Sequence, residues 1–168
     1  MVISNITQNS KKISDFDDKS LLIVDDDNPF RDRLARAMEK KGFKVTQAEG
    51  VKSGIQKVVQ SEPAFAVIDL RLGDGNGLEV VKEIQKSKKD SRVIMLTGYG
   101  NIPTAVSAIK SGAIDYLAKP ADADDVEKAL LADPNLKAAP PENPMSADRV
   151  KWEHIHRVFE LCNRNVSE

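Results

Sequence analysis

The stretch VIDLRLGDGNG, residues 67–77, joins an apolar run to a carboxylate and then to a turn rich in glycine. The run begins at Phe65 and continues unbroken to Ile68, as a strand covered on both faces requires. Ending such a strand on Asp69 is costly unless other groups at the same rim use its charge. The identity of those groups depends on the order of the remaining strands.

Working outward, short apolar runs recur as LLIV (21–24), FKVTQA (43–48), FAVI (65–68), RVIML (92–96) and AIDYLA (113–118). Helix-like faces alternate with them. Pro29 suits a first helical turn, Phe30, Leu34, Ala37 and Met38 share one face, and Gly42 can end the helix. Val51, Ile55, Val58 and Val59 form a second face, and Leu78, Val81 and Ile84 a third. Ala105, Val106 and Ile109 form a fourth, stopped by Gly112, and Val126, Leu130 and Leu131 a fifth. Five strands alternating with five helices predict a doubly wound (βα)5 α/β domain with a parallel sheet. In the flavodoxin-like order 2-1-3-4-5, strands 1 and 3 lie side by side at the switch point, where ligands bind beyond the carboxyl ends.

Strand 1 ends in Asp25 and Asp26, strand 3 in Asp69 and strand 4 in Thr97, while strand 5 leads to Lys119 and Pro120. Asp69 therefore ends its strand where these groups meet it. Three crowded carboxylates repel, and at least one would tend to bind a proton without compensation. A hard divalent cation relieves that repulsion, and Mg²⁺ suits a site of few carboxylates, a carbonyl, waters and a phosphoryl oxygen. With the Lys119 ammonium and the Thr97 hydroxyl, the set forms a phosphoryl pocket. The chemistry it suits is attack of one aspartate on phosphorus, giving an aspartyl phosphate.

Composition narrows the alternatives. The 168 residues are 40% hydrophobic and 30% charged with net charge −1, which is globular and carries no global basic field for nucleic acid or an anionic membrane. One cysteine, Cys162, excludes an internal disulfide framework and suits a reducing cytoplasm. No apolar run approaches the roughly 18 residues of a membrane helix. Residues 1–19 lack the apolar core of a signal peptide and read as a disordered tail.

The segments LLIVDDDNPFRDRL, FAVIDLRLGDGNGLEV, VIMLTGYG and GAIDYLAKPAD resemble the receiver domain of two-component response regulators, over residues 21–131 and in order. The resemblance implies that Asp69 is the phosphoacceptor and that Asp25 and Asp26 form the acidic pair for Mg²⁺. It implies further that the backbone carbonyl of Arg71 is a metal ligand and Lys119 the phosphate-binding lysine. Thr97 would be the switch hydroxyl, Tyr116 its aromatic partner, and the Lys119–Pro120 bond cis. The implied partner is a sensor histidine kinase, with homodimer formation on phosphorylation. The large Arg71 and Tyr99, two positions past Asp69 and Thr97, predict slow self-dephosphorylation rather than turnover, and Gly98 leaves the site open to a partner histidine.

The receiver is expected over 20–132, followed by a proline-rich linker, 133–145. Residues 146–168 resemble the first helix of the Fis-type helix-turn-helix in redox-responding global regulators of the RegA/PrrA/ActR type. The second and third helices are expected to be missing, so DNA is an expected partner only for a chain with the complete motif. Trp152, Ile155, Phe159 and Cys162 read as a packing stripe, and His154 and His156 point to different helix faces.

The acidic residues admit two other readings. LLIVDDDNP also fits the D-x-D motif of a haloacid-dehalogenase-like phosphohydrolase, with Asp25 as nucleophile and Asp27 as general acid. That chemistry needs a further acidic pair after another apolar strand and leaves Asp69 without a role. Asp74, Asn76 and Glu83 sit at calcium-loop offsets, but the first ligand position is Leu72, so the segment reads as a flexible turn.

Overall fold

The computed structural model describes residues 11–98, 103, 106, 109, 110, 112 and 115–132. The strands are β1 (Ser20–Val24), β2 (Lys44–Ala48), β3 (Phe65–Asp69), a short pair β4 (Arg71–Leu72) and β5 (Gly75–Asn76), then β6 (Arg92–Thr97) and β7 (Asp115–Ala118). The five long ones form one parallel sheet, as the alternating pattern predicts, in the order β2-β1-β3-β6-β7, which is the expected flavodoxin-like order. Helices α1 (Asn28–Lys40), α2 (Val51–Ser61), α3 (Leu78–Ser87) and α4 (Ala123–Leu131) accompany them. Pro103, Val106, Ile109 and Lys110 are helical as well, which places the expected fourth helical face in the chain.

Successive side chains of a strand point to opposite faces of the sheet. Leu22, Val24, Ala66, Ile68, Val93 and Met95 accordingly join one core with Val58 of α2 and Val80, Val81 and Ile84 of α3. Leu21, Ile23, Phe65, Val67, Ile94 and Leu96 join the other, with Leu34, Ala35 and Met38 of α1 and Val126, Leu130 and Leu131 of α4. Both faces being covered, LLIV (21–24), FAVI (65–68) and VIML (93–96) carry no polar residue, and each fully buried Leu or Ile contributes roughly 1.5–3 kcal/mol. Helix α1 starts as expected: Asp27 caps it by accepting the Phe30 N–H at 3.1 Å, Pro29 lies in its first turn, and Gly42 follows its end at φ +109°.

Four expectations need correction. Ala35, not Ala37, completes the buried face of α1, and Val59 is 63% exposed because α2 turns it outward. The segment after Asp69 is an ordered antiparallel pair, Arg71 opposite Asn76 and Leu72 opposite Gly75, rather than a flexible turn. Residues 11–19 are not disordered. Ile13–Asp15 form a 3₁₀ turn, Ile13 and Phe16 pack on the core, and the Phe16 ring meets Phe65 edge-on at 5.2 Å. Residues 1–10 and 133–168, with the expected linker, the C-terminal helix and Cys162, lie outside the described residues.

Candidate functional site

Each strand of the switch region hands one polar residue to the carboxyl rim. Past the end of β1, Asp25 is fully buried, its N–H donating to the Ala48 carbonyl of β2 at 3.1 Å. Its carboxylate accepts from the Asp27 N–H at 2.9 Å and from Lys119 Nζ at 2.9 Å. Asp69, the last residue of β3, is 8% exposed and accepts from the same Nζ at 3.2 Å. Asp26 is exposed, and one carboxylate oxygen from each of Asp25, Asp26 and Asp69 lies within 4.8 Å of the other two.

Thr97 ends β6 at 1% exposure, and its hydroxyl donates to the Gly98 carbonyl at 3.1 Å. The Lys119 N–H donates to the Thr97 carbonyl at 2.8 Å, which carries β7 into the site, and the Lys119–Pro120 bond is cis. Tyr116 of β7 is buried in the α2/α3-side core, opposite Met95. Arg71 is exposed, and its N–H donates to Asp69 Oδ1 at 3.4 Å. The rim thus gathers Asp25, Asp26, Asp69 and Lys119 directly, with Thr97 joined to Lys119 through the backbone and Arg71 to Asp69.

Two members were not legible in the sequence. Arg31 donates from Nη1 to the Asp25 carbonyl at 2.8 Å and from Nε to Gln47 Oε1 at 3.0 Å, fastening the turn after β1. Phe30 presents its ring 5.0 Å from Lys119 Nζ, a cation–π contact that favours the ammonium there. The only sequence signal for either is its place in the first turn of a helix that starts beside the acidic residues.

The electrostatics follow from burial. Loss of solvent, and then the Asp25 charge, push the Asp69 carboxyl up to about 6, against the pull of Lys119. Burial works against the Lys119 ammonium too, but the hydrogen bond it donates to Asp25 and the charges of Asp69 and Asp25 outweigh it and raise its pKa. Burial, with the neighbouring Asp115, pushes the Tyr116 phenol up to about 12. Three converging carboxylates against one ammonium leave excess negative charge. That donor set, all hard oxygens, fits a divalent cation of the Mg²⁺ type.

The phosphohydrolase alternative fails on the same geometry. Asp25, its nucleophile, is fully buried and hydrogen-bonded on both carboxylate oxygens, and Asp27, its general acid, is committed to capping α1. Asp69 is the buried acid that retains some exposure.

Residues 21–131 match the family profile of the response regulator receiver domain. The chain is 64% identical over 151 residues to the acid tolerance regulatory protein ActR of Sinorhizobium medicae (strain WSM419), covering 90% of this chain and 78% of that one. It is 62% identical over 151 residues to the photosynthetic apparatus regulatory protein RegA of Rhodobacter capsulatus, covering 90% and 82%. Among solved structures it is similar to a response regulator protein from Burkholderia pseudomallei with a phosphorylated aspartic acid, calcium ion and citrate. That match has TM-score 0.68 and 35% identity, and covers 89% of each chain. The chain belongs to the response regulator receiver family and is a two-component response regulator, not a phosphohydrolase.

Proposed function

We propose that Asp69 accepts a phosphoryl group from a phosphohistidine of a sensor kinase and that the modified chain controls a transcriptional output. The observation that carries the reading is the meeting of Asp69 with Asp25 and Lys119 at the sheet's switch point. An Asp69 carboxylate oxygen forms the new bond to phosphorus while the bond from phosphorus to the histidine nitrogen breaks, the electron pair leaving with the imidazole. The Lys119 ammonium, already 3.2 Å from the acceptor carboxylate, stabilises the charge on the transferring group. Asp25, Asp26, Asp69 and the Arg71 carbonyl are the residues that would hold Mg²⁺, which supplies compensation for the remaining negative charge.

Transfer is an event rather than a turnover: loss of the phosphoryl group is slow. The large Arg71, exposed two positions past Asp69, crowds the approach of an attacking water; Tyr99, expected to act with it, lies outside the described residues. Among the described residues, a Cβ at Gly98 would meet no atom within 4 Å, which leaves room for the donor imidazole. Phosphorylation then shifts a population between two receiver conformations through Thr97 and Tyr116, and the modified form pairs as a homodimer. The relatives' names, regulatory proteins of acid tolerance and of the photosynthetic apparatus, support a transcriptional role with DNA as the ultimate partner. Among the described residues no helix is long and apolar enough to cross a membrane, which is compatible with work in the cytoplasm beside the kinase's catalytic part.

Incubation with acetyl phosphate, with Mg²⁺ or with a chelator, tests the reading by intact mass. The chain gains one phosphoryl group only when Mg²⁺ is present, and Asp69→Ala gains none. Equal labelling of the variant rules the assignment out. Sedimentation with and without beryllofluoride tests the switch, and an unchanged mass contradicts pairing.

A further inference from the structure

We propose that Asp74 is a positioning residue for the phosphoacceptor site: from within the loop after Asp69 it caps the neighbouring helix α2, and so holds residues 70–77 beside the acidic cluster. The inference rests on the reading of Asp25, Asp26, Asp69 and Arg71 as a cation site.

Asp74 Oδ1 accepts the Val51 N–H at 2.7 Å and Oδ2 the Lys52 N–H at 3.1 Å. These are two of the amides that a helix start leaves without an intrahelical partner. A cap normally comes from the residue just before the helix. Here that residue is Gly50, and a Cβ on it would lie 2.7 Å from Asp74 Oδ1, so the carboxylate occupies the space a local cap would need. Both amides hold the Asp74 carboxyl below its ordinary range, Val51 first.

The far side of the loop is seated against the phosphoacceptor strand. The Gly77 N–H donates to the Leu70 carbonyl at 2.9 Å, and a Cβ on Gly77 would come within 2.2 Å of the Asp69 carbonyl oxygen. A Cβ on Gly73 would lie 3.9 Å from Asp26 Oδ2, which places this backbone next to the acidic cluster. Gly75, at φ +155°, sits where a Cβ would meet Val51 at 3.3 Å. The loop therefore spans from α2 to Asp69 and Asp26, with Arg71 on the near limb and Asp74 fixing the far one. A ligand that comes from a backbone carbonyl is only as well placed as the loop that carries it, which is the situation of any metal ligand's outer support.

Mn²⁺ binding followed by electron paramagnetic resonance, alongside urea unfolding without metal, tests this on the full chain. Asp74→Ala should weaken Mn²⁺ binding by roughly ten- to a hundredfold and lower stability. Adding Gly50→Ser to that variant gives α2 a local cap in the vacated space. Stability should then return while Mn²⁺ binding stays weak. Recovery of both together, or wild-type binding by Asp74→Ala, overturns the proposal by reducing Asp74 to an ordinary helix cap. Should the alanine variants fail to fold, Asp74→Asn decides. It keeps one acceptor oxygen and should bind Mn²⁺ a few-fold more weakly, and unchanged affinity overturns the proposal. If the wild-type chain does not bind Mn²⁺, the reading of the cation site fails and this inference with it.

Discussion

At the carboxyl end of the sheet the strands run out into Asp25, Asp69 and Thr97, whereas at its amino end Phe16 and Phe43 stand edge-on to Phe65 and the Arg92 guanidinium lies 5.0 Å over the Phe16 ring. The amino end satisfies its polar groups at close range. Ser91 donates to the Pro63 carbonyl at 2.7 Å, the Ala64 N–H to Ser20 Oγ at 3.0 Å, and Arg92 to the Leu130 and Ala132 carbonyls at 3.2 and 2.7 Å. The carboxyl end also hydrogen-bonds its groups, but with like charges held together and a carboxyl pushed up to about 6. One end of the sheet closes the fold, and the other gives up stability to hold like charges together at the switch point.

The largest effect should come from breaking the closing end. Phe65→Ala removes a ring that is 1% exposed and central to the edge-to-face cluster, and should cost about 4 kcal/mol. Urea unfolding measures it, and the fraction that remains folded should still accept phosphate, since Phe65 lies at the far end of the strand from Asp69. Loss of labelling in that folded fraction would show that the two ends are not separable.

Lys119→Ala should cost about 3 kcal/mol near neutral pH, at the low end for a broken buried pair because Lys119 still meets solvent. It leaves the fully buried Asp25 and its neighbour Asp69 without their ammonium. The loss should shrink as pH falls and a carboxyl takes up a proton, and added Mg²⁺ should restore part of it. A cost independent of both pH and Mg²⁺ would mean that Lys119 contributes packing rather than charge.

Asp69→Asn should instead stabilise the protein, by on the order of 2 kcal/mol above neutral pH. The folded pKa of about 6 exceeds the ordinary 3.8, so the fold favours the protonated acid. Stability is therefore retained at low pH and lost as pH rises through that window, and the gain from Asn should disappear near pH 4 (~3.8, the unfolded value). Denaturation at several pH values measures the gain, and a pH-independent one would contradict the assignment of repulsion and burial as its cause.

The smallest effect belongs to Asp18 at the closing end. Its carboxylate accepts from Ser20 Oγ at 2.6 Å, from the Ser20 N–H at 3.0 Å and from Lys88 at 3.1 Å, and these hold its pKa down to about 2, the Ser20 hydroxyl first. With the pKa lowered, its contribution is present above the ordinary 3.8 and lost as pH falls toward 2. Because the side chain is half exposed, Asp18→Asn should cost at most about 1 kcal/mol at neutral pH. Thermal unfolding at pH 7 and at acid pH should show the difference closing at the acid end.

The carboxyl end was the more legible of the two in the sequence. Unbroken apolar runs mark where the buried strands stop, and alternation with helices gives a parallel sheet, so with the flavodoxin-like strand order Asp25, Asp69, Thr97 and Lys119 could be brought to one rim. The receiver resemblance then supplied expected roles for Arg71 and Tyr116. The amino end escaped because Ile13 and Phe16 are too few to make a period, and they are ordered only by rings and a guanidinium far along the chain. The loop at 70–77 escaped for a related reason: Asp74 finds its partners 23 and 22 residues earlier, and two-residue strands leave no pattern of alternation. Val59 misled the reading of α2 because an apolar residue at the edge of a helical face carries no mark of its exposure.

Reduction of the phosphorylated chain with borohydride, followed by tandem mass spectrometry, places the acyl phosphate on a residue. The account predicts a single trapped site at Asp69. A trapped site at Asp25 or Asp26, with Asp69 unmodified, would contradict it.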